Sequence, residues 1–360
     1  MTDITSAGAA LYDQFSAFVK DPDITDINVA VGREPWVRGR DGLKPTDLPP
    51  TSHEAMTAWI GGMRSPDQKL EEYLWSNEGA DDFALNMDGV RCRANVFLSQ
   101  GKLKMVLRRL AGVVEFQTLA LPDSVLKLVD RPRGIFFVTG PTGSGKTTTL
   151  GSMVNHLNHT RDHHILTIEQ PVEVEHENKK SLITHRSIGP SKSDDAPTFS
   201  AALRSGLREN PNVILVGEIR DPETMHTAIQ AASTGHMVLT TLHTNGGAAT
   251  VERFAGFFDG VDRVNALAEL ASNFAGTLSQ ELITDNKGDK AIAYEILMPT
   301  MAVRASIRKG DVNVIRQEMD TGSSFGHVKL NTTLMNLVRA GRITREEALY
   351  RSNDPDRFGK

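Results

Sequence analysis

Between Gly140 and Thr147 the chain reads Gly-Pro-Thr-Gly-Ser-Gly-Lys-Thr, filling every fixed position of the phosphate-loop pattern G-x-x-x-x-G-K-[ST]. No other stretch limits the possible fold so tightly. Such a loop works only between a buried strand and the first turn of a helix, where backbone N–H groups converge on phosphate oxygens at the positive end of the helix dipole. Both flanks meet that requirement. Ile135-Phe136-Phe137-Val138 predicts a short buried strand, and Leu150, Met153, Val154 and Leu157 recur at helical spacing on one face. Glycine at 140, 143 and 145 lets the backbone close in without Cβ obstruction. A chance glycine-rich turn would not bring both flanks with it. The loop therefore predicts binding of a nucleoside triphosphate, with Gly140, Pro141, Thr142, Gly143, Ser144, Gly145, Lys146, Thr147 and Thr148 as candidate contacts. Lys146 is expected to reach the β- and γ-phosphates and the Thr147 hydroxyl to ligate Mg²⁺.

A chain of 360 residues has room for two or three domains with full cores. Its 40 basic and 45 acidic side chains leave a net charge of −5, which gives no support for wholesale nucleic-acid binding. Cys92 is the only cysteine, so an intrachain disulfide and a multi-cysteine zinc site are both excluded. That usage fits a reducing cytosol. Met1–Ser6 lacks the basic stretch and apolar run of a signal peptide, and no apolar run is long enough to span a bilayer. The expectation is a soluble protein that meets membranes only through a partner.

The segment 1–20 predicts an amphipathic helix with Leu11, Phe15, Phe18 and Val19 on one side. Ile27 to Val37 alternates around Gly32-Arg33-Glu34-Pro35 and predicts a hairpin. A helix over Ser52–Met63, paired strands across Phe83–Val96 turning at Asp88-Gly89, and a strand over Lys102–Leu110 follow. These make the first 112 residues an α+β module, with 113–120 as a linker. From 121 to 300 strands alternate with helices, the pattern of a mostly parallel sheet. Residues 301–360 turn helical again.

Three further strand ends carry polar groups suited to a phosphate site. Val213-Ile214-Leu215-Val216 runs into Gly217-Glu218, placing a carboxylate where a P-loop enzyme needs one to hold Mg²⁺ or orient the attacking water. Ile165–Ile168 ends in Glu169, with Glu173 beyond Pro171; the bland alternative is an acidic surface turn. Met237–Leu242 ends in His243, which either reports on the γ-phosphate or is structural.

In this order, the four strand ends resemble the secretion ATPases of the type II and type IV group, in particular the PilT-like branch that drives type IV pilus retraction. Ile168-Glu169-Gln170-Pro171-Val172-Glu173 resembles the family's acidic box, and Leu207–Asp221 its signature around a glutamate-ended Walker B strand. Thr234-Gly235-His236 through His243-Thr244 resembles its histidine box. Asp26–Arg38 is similar to the start of its PAS-like N-terminal domain, and Ala302–Arg308 to a segment of the retraction branch. Two positions depart from the pattern, Gln170 and Asn212 each standing where aspartate is usual. The segment Gly189–Pro197 reads as longer and more flexible than the family's, as in a conjugation or type IVB secretion relative.

The resemblance implies an α/β fold with a RecA-like P-loop NTPase core, a PAS-like α+β domain before it and a helical segment after it. It implies ATP and Mg²⁺ as ligands, and Glu218, Glu169, Glu173 and His243 as catalytic groups, Glu218 sharing the metal with Thr147. Arg91 and Arg93 share one face of a strand and Arg108 lies on the next. The resemblance makes them candidate arginine fingers acting across a hexameric ring, where the alternative is a solvated strand face. An inner-membrane platform protein would be the partner, reached from the cytoplasmic face of a bacterial inner membrane. Two other readings compete. A weakly hydrolysing ATP-bound scaffold is favoured by Gln170 alone, and a nucleic-acid motor lacks the basic, aromatic-interleaved stripe it would need.

Overall fold

The computed structural model describes residues 6–358, so Met1–Thr5, on which the absence of a signal peptide was read, lie outside it. The chain forms two compact units. One takes the chain up to Gly112 together with Glu169–Glu175 and His185–Ala202; the other takes Val113–Ile168, His176–Thr184 and the chain from Leu203 onward.

In the first unit the helix Ser6–Lys20 buries Leu11, Phe15 and Val19, four residues apart and so on one face. The Phe15 ring lies 5.9 Å from that of Trp59, and Tyr12 meets the same indole edge-on at 6.0 Å. Trp59 sits in a helical run that begins at His53, capped by Ser52, whose Oγ accepts the Ala55 N–H at 3.0 Å. The run covers the expected helix, but its middle turn, Thr57–Gly61, widens to π geometry. A short helix over Leu70–Ser76 was not foreseen.

These helices cover a six-stranded antiparallel sheet. Its strands are β1 (Asp26–Ala30), β2 (Trp36–Gly39), β3 (Gly42–Pro45), β4 (Ala80–Met87), β5 (Val90–Ser99) and β6 (Lys102–Arg109), in the order β3-β2-β1-β6-β5-β4. The expected first hairpin pairs Ile27 with Val37. The turn between β4 and β5 puts Asp88 and Gly89 at φ 49° and 85°, the left-handed pair that a tight two-residue hairpin requires. Strand alternation sends Cys92, Ala94 and Val96 inward while Arg91 and Arg93 face outward. Leu103, Met105 and Leu107 do the same on β6, each burial worth roughly 1.5–3 kcal/mol. Cys92 is fully buried, and burial pushes its thiol up to about 11.

An ion cluster ties the later segments into this unit. Arg64, buried, binds Asp81 at 2.7 Å and Asp194 at 2.7 Å, and the Tyr73 hydroxyl donates to Asp81 at 2.9 Å. Ser191 Oγ donates to the Arg64 carbonyl at 2.7 Å, and Lys192 reaches Asp67 at 2.9 Å. The segment Gly189–Pro197, expected to be flexible, is thus pinned: removing one partner of a buried ion pair costs about 3–5 kcal/mol.

The second unit carries a seven-stranded sheet. Its strands are β7 (Gly134–Thr139), β8 (His164–Glu169), β9 (Leu182–Ser187), β10 (Val213–Val216), β11 (Met237–Leu242), β12 (Phe274–Thr284) and β13 (Lys290–Leu297). They stand in the order β13-β12-β7-β11-β10-β8-β9. From β12 to β8 neighbouring strands run parallel, and β13 returns antiparallel beside β12. Every residue of β7, β10 and β11 is buried, as expected of parallel strands covered on both faces. All four strands inferred around the site are present. The β12–β13 ribbon was not anticipated, and neither was β9. Beyond Pro299 the chain is helical, as expected, and Phe358 packs into a small core with Leu334, Ile343 and Ala348.

Candidate active site

Parallel pairing aligns the carboxyl ends of β7, β10 and β11, and a doubly wound sheet presents its ligand site at that edge. Thr139 lies opposite Leu242, and Val216 opposite Thr240. The phosphate loop leaves β7 there and enters the helix Lys146–Thr160. Gly140, Gly143 and Gly145 take φ of 139°, 79° and 88°, so all three need glycine. At Gly140 a Cβ would also collide with the Gln280 carbonyl of β12. Pro141, Thr142 and Gly143 are exposed at the loop's tip, Ser144 is buried, and Thr147 and Thr148 lie on the first helical turn.

The Lys146 ammonium holds the loop's own carbonyls, Gly140 and Pro141, each at 2.9 Å. Burial lowers its pKa, and the charge of Glu218 opposes that shift. Glu218 stands two residues past β10. Its carboxylate binds Arg220 at 2.7 Å and lies 3.8 Å from His243 Nε2. Thr241 Oγ1 donates to the Gly217 carbonyl at 2.6 Å, fixing the turn that carries Glu218. Burial first, then the Lys146 charge, push the His243 imidazole below its ordinary value. It is therefore neutral at pH 7, able to both donate and accept a hydrogen bond. Lys146, Glu218 and His243 thus form one electrostatic group. The Thr147 hydroxyl and the Glu218 carboxylate are hard oxygen donors, the kind Mg²⁺ takes alongside phosphate oxygens and water.

The other candidates group elsewhere. Glu169, at the end of β8, and Glu173 belong with the first unit. There Arg93 pairs with Asp82 and reaches Glu173 at 2.8 Å, while Arg91 binds Glu175 at 2.7 Å and the Val172 carbonyl at 2.9 Å. Arg108, largely exposed, binds Asp26 at 2.7 Å. His236 serves the fold: its Nδ1 lies 2.9 Å from the Ala231 carbonyl. Asn212 accepts the His164 N–H at 2.8 Å, at the amino ends of β8 and β10 and so at the edge opposite the phosphate loop. Arg220 and Gln280 were not singled out from sequence. Arg220 stood in view within the signature, whereas Gln280 carries no motif. A separate cavity of about 1300 Å³, lined in part by Glu295, Arg316 and Lys329, takes no residue from the phosphate loop.

A phosphate loop and a strand-end carboxylate meeting at the carboxyl edge of a parallel sheet place this core among the RecA-like P-loop NTPases. The family model described as "Type II/IV secretion system protein" matches residues 83–332, and the chain belongs to that family. The type IV pilus retractation ATPase PilT of Pseudomonas aeruginosa is 37% identical over 346 residues, covering 95% of this chain and 98% of that protein. A twitching motility protein of Neisseria gonorrhoeae is 36% identical over 325 residues, covering 89% and 85%. Among solved structures, the pilus retraction motor PilT with bound ADP matches with a TM-score of 0.83 at 37% identity, covering 96% of each chain.

Proposed function

We propose that this chain is an ATPase that couples ATP hydrolysis to pilus retraction, working as a homohexameric ring. One observation carries the retraction reading: 37% identity to a retraction ATPase along nearly the full length of both chains. In this reading the phosphate loop holds the β- and γ-phosphates, Thr147 and Glu218 hold Mg²⁺, and Glu218 orients the attacking water. Neutral His243 senses the γ-phosphate. Glu169 and Glu173 are assigned as further acidic groups of the reaction on the strength of the family resemblance alone. Arg91, Arg93 and Arg108 act on a neighbouring subunit's nucleotide, where an arginine finger is worth on the order of 10³–10⁵ in rate. We infer domain limits of 1–112 and 121–300, a linker at 113–120 and a helical segment at 301–360. Among the described residues no helix is long and apolar enough to cross a membrane. The ring is proposed to act on an inner-membrane platform protein from the cytoplasmic face.

Subunit mixing tests the shared site. Lys146→Ala should fold and lose turnover, because its ammonium serves ligand and loop rather than core. Arg93→Ala should be inactive for want of a finger. Mixed together under conditions where native mass spectrometry shows exchange, the two should regain activity, since some interfaces pair an intact loop with an intact finger. Wild-type turnover in a folded Lys146→Ala protein removes the phosphate-site assignment. A monomer hydrolysing ATP at the full rate rejects the shared site.

A further inference from the structure

We propose that Gln280 is a positioning residue of the phosphate loop, holding the Ser144–Gly145 peptide so that its N–H faces bound phosphate. The inference rests on the phosphate-site reading above. Ser279 of β12 lies opposite Thr139, the last residue of β7, so Gln280 comes abreast of the start of the loop. It is 1% exposed. Its Nε2 donates to the Ser144 carbonyl at 2.6 Å, across 136 residues of sequence. The amide orientation follows from chemistry, since a carbonyl oxygen only accepts. In a trans peptide the C=O and the following N–H point to opposite sides. Anchoring the Ser144 carbonyl to β12 therefore turns the Gly145 N–H away from the sheet. Gly145 has φ 88°, and a Cβ there would lie 3.2 Å from Gln280 Nε2, so amide and glycine fit together.

A second observation separates this role from space-filling. Gln280 Oε1 is buried without a hydrogen-bond partner among the described residues. A buried acceptor left unpaired is costly, and a methionine would fill the same volume without that cost. What the glutamine adds is the donor.

The test compares wild type, Gln280→Met and Gln280→Leu, both apolar, both close in volume and both lacking the amide donor. ADP affinity is read from a fluorescent analogue and from the ADP-induced rise in melting temperature. Loop N–H groups contact the β-phosphate in ground and transition states alike, so their misalignment is a uniform binding loss. Both variants should lose about tenfold in ADP affinity and gain about tenfold in KM for ATP, with kcat within about twofold. The melting temperature without nucleotide should stay within a few degrees of wild type. A folded variant with unchanged ADP affinity overturns the proposal. So does a lower melting temperature with unchanged affinity per folded molecule, or a fall in kcat at unchanged KM. If wild type itself does not bind ADP, the phosphate-site reading fails first, and that result is distinct.

Discussion

In the function proposed above, Glu218 is the residue assigned to activate water. It is held by Arg220, faces Lys146 electrostatically and lies beside His243, so its negative charge is balanced at the place where phosphate and metal would be bound. If it orients water, Glu218→Gln keeps size and hydrogen-bonding capacity but loses the proton acceptor. Nucleotide binding should persist while hydrolysis slows by about 10²–10⁴-fold. Trapped, unhydrolysed ATP on the isolated protein is the signature to look for. Should Glu169→Gln block hydrolysis and Glu218→Gln not, the base belongs to β8 instead. Much of this site could be read beforehand, because the phosphate loop, Glu218 and His243 all sit within a few residues of buried strands that announce themselves by composition. Gln280 could not be read, because its meaning lies wholly in a partner 136 positions away.

At the scale of elements, the β12–β13 ribbon closes one side of the sheet and carries Glu295 between two helix starts. Glu295 accepts the Gly247 N–H at 2.8 Å, capping the helix Gly247–Ala255, and a Cβ on Gly246 would lie 2.9 Å from its Oε1. Burial raises its pKa, while the Gly247 N–H, the Asn353 amide and the Lys329 charge pull the other way. Because the folded value is raised, its stabilising effect is complete below the unfolded value of about 4.3 and is lost as pH climbs through the folded value. Each unit of elevation corresponds to about 1.4 kcal/mol. Glu295→Gln, whose carbonyl can still cap the helix, should therefore gain stability relative to wild type as pH rises from 4.5 to 8. Urea midpoints measured across that range would show it, and parallel curves would refute it. The ribbon escaped the sequence reading because Phe274–Ile283 is a continuous mixed run without alternation, and Asp285–Asp289 resembles any polar loop. The strands β7, β8, β10 and β11 were legible for the converse reason: each is short and built around a buried run of apolar residues.

For the molecule as a whole, chain order and spatial grouping part company. Residues 169–175 and 185–202 begin in or at the end of strands of the core sheet yet group with the amino-terminal unit, drawn there by Arg64, Arg91 and Arg93. No local pattern announces such membership, since it depends on ion pairs formed between distant segments. The sole thiol gives a way to watch that unit. Cys92 lies on β5 with no exposed surface, and a buried neutral thiol is a poor nucleophile. An alkylating reagent reaches it only when the strand opens. Labelling is thus a clock for the unit that contains it: every 1.4 kcal/mol of opening free energy slows the reaction about tenfold. Mass spectrometry should find the native protein nearly unmodified after times that fully alkylate the denatured chain. Rapid modification without denaturant would contradict the burial. With no other cysteine in 360 residues to confuse the reading, the protein carries its own single-site reporter of partial unfolding.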